Sequence, residues 1–398
     1  MRDMLFLSQR IPYPPNKGDK IRSFNILKHF SATHRIHLGC FIDDPEDWEH
    51  VTTLQDYCVD TCIVPLNKIM AKTRSLRAFF TGAPLNLPYF YDRVLDDWVK
   101  TVFTDVKPHA AFAFSSQMGQ YFLQAAPRPS RMVIDYCDVD SDKWHQYAQS
   151  KSWPASWLFE RESRTLLEFD RRVAKAVDAG TFVAAPEVEL FESLAPETRG
   201  KIHAIGNGID TEYFSPEKTY PSPYDAGGPI VIFTGAMDYW PNVDAVVWFA
   251  TDIFPRVRDA IQDARFFIVG GSPSPDVLKL EKIDGVHVAG RVPDMRPYFV
   301  HAQAAVTPMR IARGIQNKVL EAMAMSKPTV TTPTALAGID ATRDTEILVA
   351  EDADTFAAQT VYALRNPAAS DIGDRAKAFV SRSYTWSSQL APYDALVA

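Results

Sequence analysis

The sequence predicts an α/β protein made of two doubly wound domains facing each other across a cleft. Three observations lead there. The 398 residues exceed what one hydrophobic core usually serves. Short apolar runs alternate with helix-like stretches in both halves, as βαβ units around a parallel sheet do. The alternation breaks once, over residues 216–229, which are rich in Pro, Gly, Ser and Tyr and have no apolar period, and then it starts afresh.

The elements follow in order. Residues 4–8 read as a strand that ends in the turn-rich segment 12–18. A helix is expected from about Asp19 to Phe30, with Ile21, Phe24, Leu27 and Phe30 on its apolar side and Arg22, Asn25 and His29 opposite. Strand-like runs recur at 36–42, 61–65, 110–114 and 132–136, and a long charged helix covers 155–178. Two further strands, 181–184 and 202–205, complete the first half. Beyond the linker come strands at 230–234, 265–269, 286–289, 304–307 and 329–332, with helices at 243–254 and from about Gln316 to Met325. The expected domains are 1–205 and 206–380, with 381–398 as a helix returning to the first. Both halves open with a strand, a small polar turn and an aromatic residue before Pro. Ligands of open α/β sheets bind beyond the carboxyl ends of the strands, so the residues just after each strand are the candidates for function.

Bulk properties remove several classes. A formal net charge of -7 argues against nucleic acid as a partner, because phosphate-backbone binders carry a basic surplus. Cys40, Cys58, Cys62 and Cys137 show no zinc-site spacing and fit a reducing compartment. The nine histidines form no H-x3-H or H-E-x-x-H cluster, and no G-x-S-x-G elbow or P-loop is present. No run of 18 apolar residues and no signal-like start occur. The expectation is a cytoplasmic, soluble protein.

The most informative stretch is 307–325. A strand ends, Arg310 and Arg313 follow, Gly314 and Ile315 turn the chain, and a helix begins that carries Lys318 and Glu321 on one face. A helix start and forked cations suit a phosphate, and a carboxylate suits a ribose diol. The plain alternative is a solvated helix on which Lys318 and Glu321 merely pair.

At this point the chain resembles glycosyltransferase family 4, a retaining family of the GT-B fold. The carriers are Leu320 to Ala324 followed by Lys327 to Val330, Asn207 to Asp210 with Phe214 to Pro216, Phe233 to Asn242, Ile268 to Gly271, and Val288 to Asp294. In the first half, Asp135 to Trp144 and Ala113 to Met118 look like the subgroup associated with exosortase and exopolysaccharide gene clusters. The resemblance implies transfer of a sugar from a nucleoside diphosphate donor to a hydroxyl of a glycan or lipid-linked acceptor, with no metal or other cofactor. It implies donor contacts at Gly18, Asp19, Gly235, Asn242, Arg291, Val292, Gly314, Ile315 and Glu321. Arg310, Arg313, Lys318 and Glu321 are the catalytic candidates, and Ser116 and Asp138 lie on the acceptor side. Two departures stand out. Arg313 occupies the place of the first glutamate of the family's E-x7-E pair, and Asp238, Trp240 and Asn242 stand where an Arg and a Lys are common. Arg310 and Arg313 with Lys318 are expected to restore that positive charge.

Three features of the first half stay open. The loop 14–20 is read equally as a phosphate cradle around Gly18 and as a strand-to-helix turn capped by Asp19. Asp138 and Asp140 have the form of a metal-binding D-x-D pair, with an acceptor contact preferred. Residues 61–91 lack Asp and Glu but hold Lys68, Lys72, Arg74 and Arg77 among bulky apolar residues. That pattern, centred on 67–82, reads either as a peripheral anchor for anionic membrane or as an ordinary surface helix. Two other activities remain in view: a sugar-nucleotide epimerase on the same architecture, and a non-catalytic two-domain binding protein.

Overall fold

In the computed structural model the chain forms two compact units, residues 1–206 with 390–398, and residues 207–389. Every residue is described except Arg313 and the side chain of Ser150.

The first unit is built on a seven-stranded parallel sheet. Its strands are β1 (Arg2–Ser8), β2 (His34–Ile42), β3 (Cys58–Pro65), β4 (Ala110–Phe114), β5 (Arg131–Cys137), β6 (Ala179–Phe182) and β7 (Ile202–Ala204), in the order β3-β2-β1-β4-β5-β6-β7. Met4, Leu5, Phe6 and Leu7 have no exposed surface, as expected of a central strand covered on both faces. Strand order reverses between β1 and β4, which pair in register from Met4 opposite Ala110 to Ser8 opposite Phe114.

The helix after β1 spans Gly18–Ser31 and corrects the sequence reading in two ways. Lys17, not Asp19, is its N-terminal boundary residue, and no side chain caps it. Asp19 instead accepts a hydrogen bond from Arg10 at 2.8 Å. Arg22, placed by periodicity on the polar side, is buried, while Ile21 is exposed. A buried guanidinium is tolerated only with partners. Arg22 Nε donates to Asp135 Oδ2 at 2.7 Å, and its Nη2 reaches the carbonyl of Ile205 at 2.8 Å and the hydroxyl of Tyr393 at 3.3 Å. Lys20 is likewise buried and donates to both carboxylate oxygens of Asp47 at 2.6 Å. Tyr393, from the last nine residues, packs edge-on against Phe30 and Phe112 and shares a 2.8 Å hydrogen bond with Thr181.

The second unit repeats the plan with six parallel strands: β8 (Ile230–Thr234), β9 (Arg265–Val269), β10 (Val286–Gly290), β11 (Ala304–Thr307), β12 (Thr329–Thr331) and β13 (Leu348–Val349). The order is β10-β9-β8-β11-β12-β13, so the reversal falls between β8 and β11. The helix expected at 243–254 begins earlier. It runs Trp240–Trp248, passes through a π turn at Phe249–Ile253, and continues as Phe254–Ala260 with Pro255 in its first turn. β13 is too short to leave an apolar period and was not anticipated. Among the described residues, no helix is long and apolar enough to cross a membrane.

Candidate functional site

At the reversal point of the second unit, three loops meet. β8 ends at Thr234, and Gly235 follows it. The neighbouring β9 ends at Val269, before Gly270 and Gly271. The backbones touch: Gly235 N–H donates to the Val269 carbonyl at 3.1 Å, and Met237 N–H to the Gly271 carbonyl at 2.9 Å. A Cβ on Gly270 would lie 1.6 Å from the Gly235 carbonyl oxygen, and one on Gly235 would lie 2.7 Å from Asn242 Nδ2. Only hydrogen at both positions allows so close an approach.

Asn242 sits at the start of helix Trp240–Trp248 and is buried. Its Nδ2 donates to the Ala236 carbonyl at 2.9 Å, which leaves Oδ1 to accept from Lys318 Nζ at 2.7 Å. Lys318 lies in the first turn of helix Asn317–Ala324, which begins after Gln316 without a side-chain cap. Its ammonium also contacts Met309 Sδ at 3.2 Å and stands 5.4 Å from the Phe233 ring centre. Burial pulls the ammonium down to about 8, with Glu321 partly opposing the shift. Glu321, one turn along the same helix, is pushed up to about 7 by burial, with Lys318 partly opposing. A desolvated cation at the positive end of a helix, beside half-buried glycine backbone, suits an anionic ligand.

The structure therefore brings together Gly235, Asn242 and Lys318 by direct contact, with Glu321 on the same helix. Arg291 is exposed and runs beside Gly271, whose added Cβ would lie 3.3 Å from Arg291 Nε. Val292 packs against the cluster containing Val269 and Phe299, and Ile315 against that containing Val319 and Phe379. The carbonyl of Gly314 accepts from Gln316 Nε2 at 3.2 Å. Arg310 pairs with an acid on helix Trp240–Trp248, the helix that carries Asn242. Its Nε donates to Asp244 Oδ2 at 3.0 Å, a second nitrogen bonds Asp244 Oδ1, and the guanidinium lies 5.3 Å from the Trp248 ring centre. Arg313 lies outside the described residues. Sequence reasoning missed Met309, Phe233 and Asp244, the partners that hold the two cations. Met309 carried a signal in its place two residues past β11.

In the first unit, Gly18 opens the helix and has open space around its Cα. Ser116 is buried and hydrogen-bonded to Asp170, whose carboxyl burial pushes well above its ordinary range. Asp138 and Asp140 share one cation: Lys143 Nζ lies 2.8 Å from the first and 3.0 Å from the second. Burial lowers Lys143, but the two carboxylates outweigh it and raise the ammonium overall. Among the described residues no group of three or more His, Cys, Asp or Glu side chains is arranged to hold a metal ion.

Residues 228–366 match the family of glycosyl transferases group 1. No curated protein matches the chain. Among solved structures, the chain is similar to sucrose-phosphate synthase from Thermosynechococcus elongatus, with TM-score 0.65 and 17% identity over 99% of this chain and 98% of that one. It is similar to Anabaena HepE in complex with UDP, with TM-score 0.63 and 14% identity over 99% of each chain. A glycosyltransferase from Rickettsia africae gives TM-score 0.64 at 11% identity, over 100% of this chain and 98% of that one. At such identities the likeness is one of fold, and the two reversal-point sheets are those of the GT-B type. With a group 1 domain over residues 228–366 carried on that framework, the chain is a glycosyltransferase.

Proposed function

We propose that the enzyme moves a sugar from a nucleoside diphosphate sugar, held by the second unit, to a hydroxyl of a glycan or lipid-linked acceptor, held by the first. The observation that carries the reading is Lys318, fixed at 2.7 Å by Asn242 and seated at a helix start where strand order reverses. As the glycosidic bond breaks, negative charge develops on the departing diphosphate, and a preorganised cation in a dehydrated site stabilises it more than water would. Lys318 supplies that charge. Arg310 adds to it from the loop after β11, Arg313 is a further candidate cation from the sequence, and Glu321 orients the ribose hydroxyls.

Transfer proceeds with retention, as the resemblance to family 4 implies, with the departing phosphate assisting attack on the same face. HepE, solved in complexes with UDP and with UDP-glucose, supports a uridine donor as the first to test. No metal is needed, a reading supported by Lys143, which already neutralises Asp138 and Asp140. The place of action is the cytoplasmic face of the membrane, in exopolysaccharide or cell-envelope glycan synthesis.

The test is a thermal-shift screen with UDP, GDP and ADP and their sugars, followed by assay of diphosphate release with glycan acceptors. Stabilisation by one donor series and acceptor-dependent release are expected. An epimerised donor with no diphosphate released would replace this reading with a sugar-nucleotide epimerase. Absence of a shift with every donor would remove it.

A further inference from the structure

We infer that the first unit docks on an anionic lipid surface through a face built from two segments, residues 68–80 and 151–157. This goes beyond the transfer reaction and stands on separate observations. The first is an inverted helix. Helix Lys68–Ser75 buries its small residues Ala71 and Ser75 and turns Ile69 and Met70 outward, 77% and 61% exposed. A helix needing only to pack against its own domain would place the large apolar side chains inside. The following turn repeats the inversion: Ala78 is buried, while Leu76 and Phe80 are exposed, Phe80 at 93%.

The second observation is that a distant stretch joins this surface. Phe79 stacks on Trp157 with ring centres 6.5 Å apart and planes 9° from parallel, and Trp153 beyond it is 79% exposed. The face is held firmly rather than loosely. Arg161, below Phe79, donates to the carbonyls of Ala78 and Ala83 at 2.6 and 3.0 Å, and Glu162 accepts from Leu85 N–H at 2.7 Å. Contiguous exposed apolar side chains on this scale mark an interaction site.

Charge selects the occupant. In a chain of net charge -7, residues 61–91 contain no Asp or Glu, and Lys72, Arg77 and Lys151 are exposed beside the apolar residues in sequence, as is Lys68, which also pairs with Asp43 at 3.5 Å. Cations ringing Trp, Phe, Ile and Met side chains complement lipid phosphates above an acyl layer. A second copy of the same face would set these cations against one another.

Sedimentation of the full chain with vesicles tests this, using phosphatidylcholine alone and phosphatidylcholine enriched in phosphatidylglycerol, at low and high salt. The anionic vesicles should bind the protein and release much of it as salt screens the cations. Phe80→Ser with Trp153→Ser should lower partitioning at least about tenfold, since each removes a large apolar group from the acyl boundary. Lys72→Glu with Arg77→Glu should abolish the preference for phosphatidylglycerol. Unchanged melting midpoints show that the variants are folded, and the thermal shift with UDP, read separately, reports the donor site. Wild-type protein that ignores both vesicles overturns the inference, as do aromatic variants that bind as well as wild type. So does a dimer, seen by light scattering without vesicle binding, that the aromatic substitutions split.

Discussion

Replacing Lys318 by Met should leave the second unit as stable as before or more so, and unable to grip a donor. The ammonium is drawn from its ordinary 10.5 to about 8 by burial, which corresponds to about 3 kcal/mol of charge burial carried at neutral pH. Met keeps the apolar stem beside Phe233 and Met309 and removes that term. The offsetting loss is the 2.7 Å donor to Asn242 Oδ1; an orphaned buried acceptor costs about 1–3 kcal/mol. The net is a unit between unchanged and about 2 kcal/mol more stable, a melting midpoint raised by up to roughly 6 °C. The pH dependence gives a second readout. Because the folded-state value lies below the unfolded one, the unfolded chain binds more protons between about 8 and 10.5, so wild-type stability rises with pH through that window. Lys318→Met should lack that rise. Thermal denaturation across pH, with and without UDP, and titration calorimetry with UDP measure both halves. A midpoint several degrees lower with UDP affinity intact would show that the ammonium serves the fold and not the donor.

Donor affinity should peak near neutral pH. Below about 7 Glu321 takes up a proton and accepts hydroxyl hydrogen bonds less well, and above about 8 Lys318 loses its charge. Affinity that stays flat from about pH 6 to about 9 would contradict these roles. Charge-neutral Arg310→Gln should weaken donor binding about tenfold yet change stability by less than about 1 kcal/mol, because its pair with Asp244 is exposed. Donor titration and a denaturation curve separate the two effects. Gly270→Ala should cost at least about 3 kcal/mol, since the new Cβ would fall 1.6 Å from the Gly235 carbonyl, and a denaturant midpoint reads it directly. Arg22→Met strands Asp135 without its buried partner, at about 3–5 kcal/mol, and adding Asp135→Asn should recover part of that in the same assay.

Much of the framework was legible because parallel strands covered on both faces must be apolar throughout. Met4 to Leu7 and Ile230 to Phe233 could hardly be anything else. β3 was read three residues short, since Cys58, Val59 and Asp60 at its start are partly or fully exposed and leave no apolar run. β13 escaped because two residues carry no period. Arg22 was misplaced for a physical reason: a cation on a helix faces water by default, and partners distant in sequence, Asp135 113 residues away among them, reverse that default. In the second unit, the glycines and the helix carrying Lys318 and Glu321 stood out by position after strands. The 76-residue link from Asn242 to Lys318 did not, because a hydrogen bond between distant loops leaves no mark on local pattern. The partner of Arg310 was hidden likewise. Asp244 reads from sequence as an ordinary acid in a helix, and only the fold sets it beside the loop after β11.

Tyr393 gives the order of synthesis a particular bearing on this chain. The residue lies in the interior of the first unit, against Phe30 and Phe112, yet is translated after everything in the second. Domains emerging from a ribosome generally mature in the order they are made. Here the earlier one must wait, its aromatic socket unfilled, until the whole of the second has been made. A stop introduced just before Leu390 would therefore injure the half of the protein that was finished long before it.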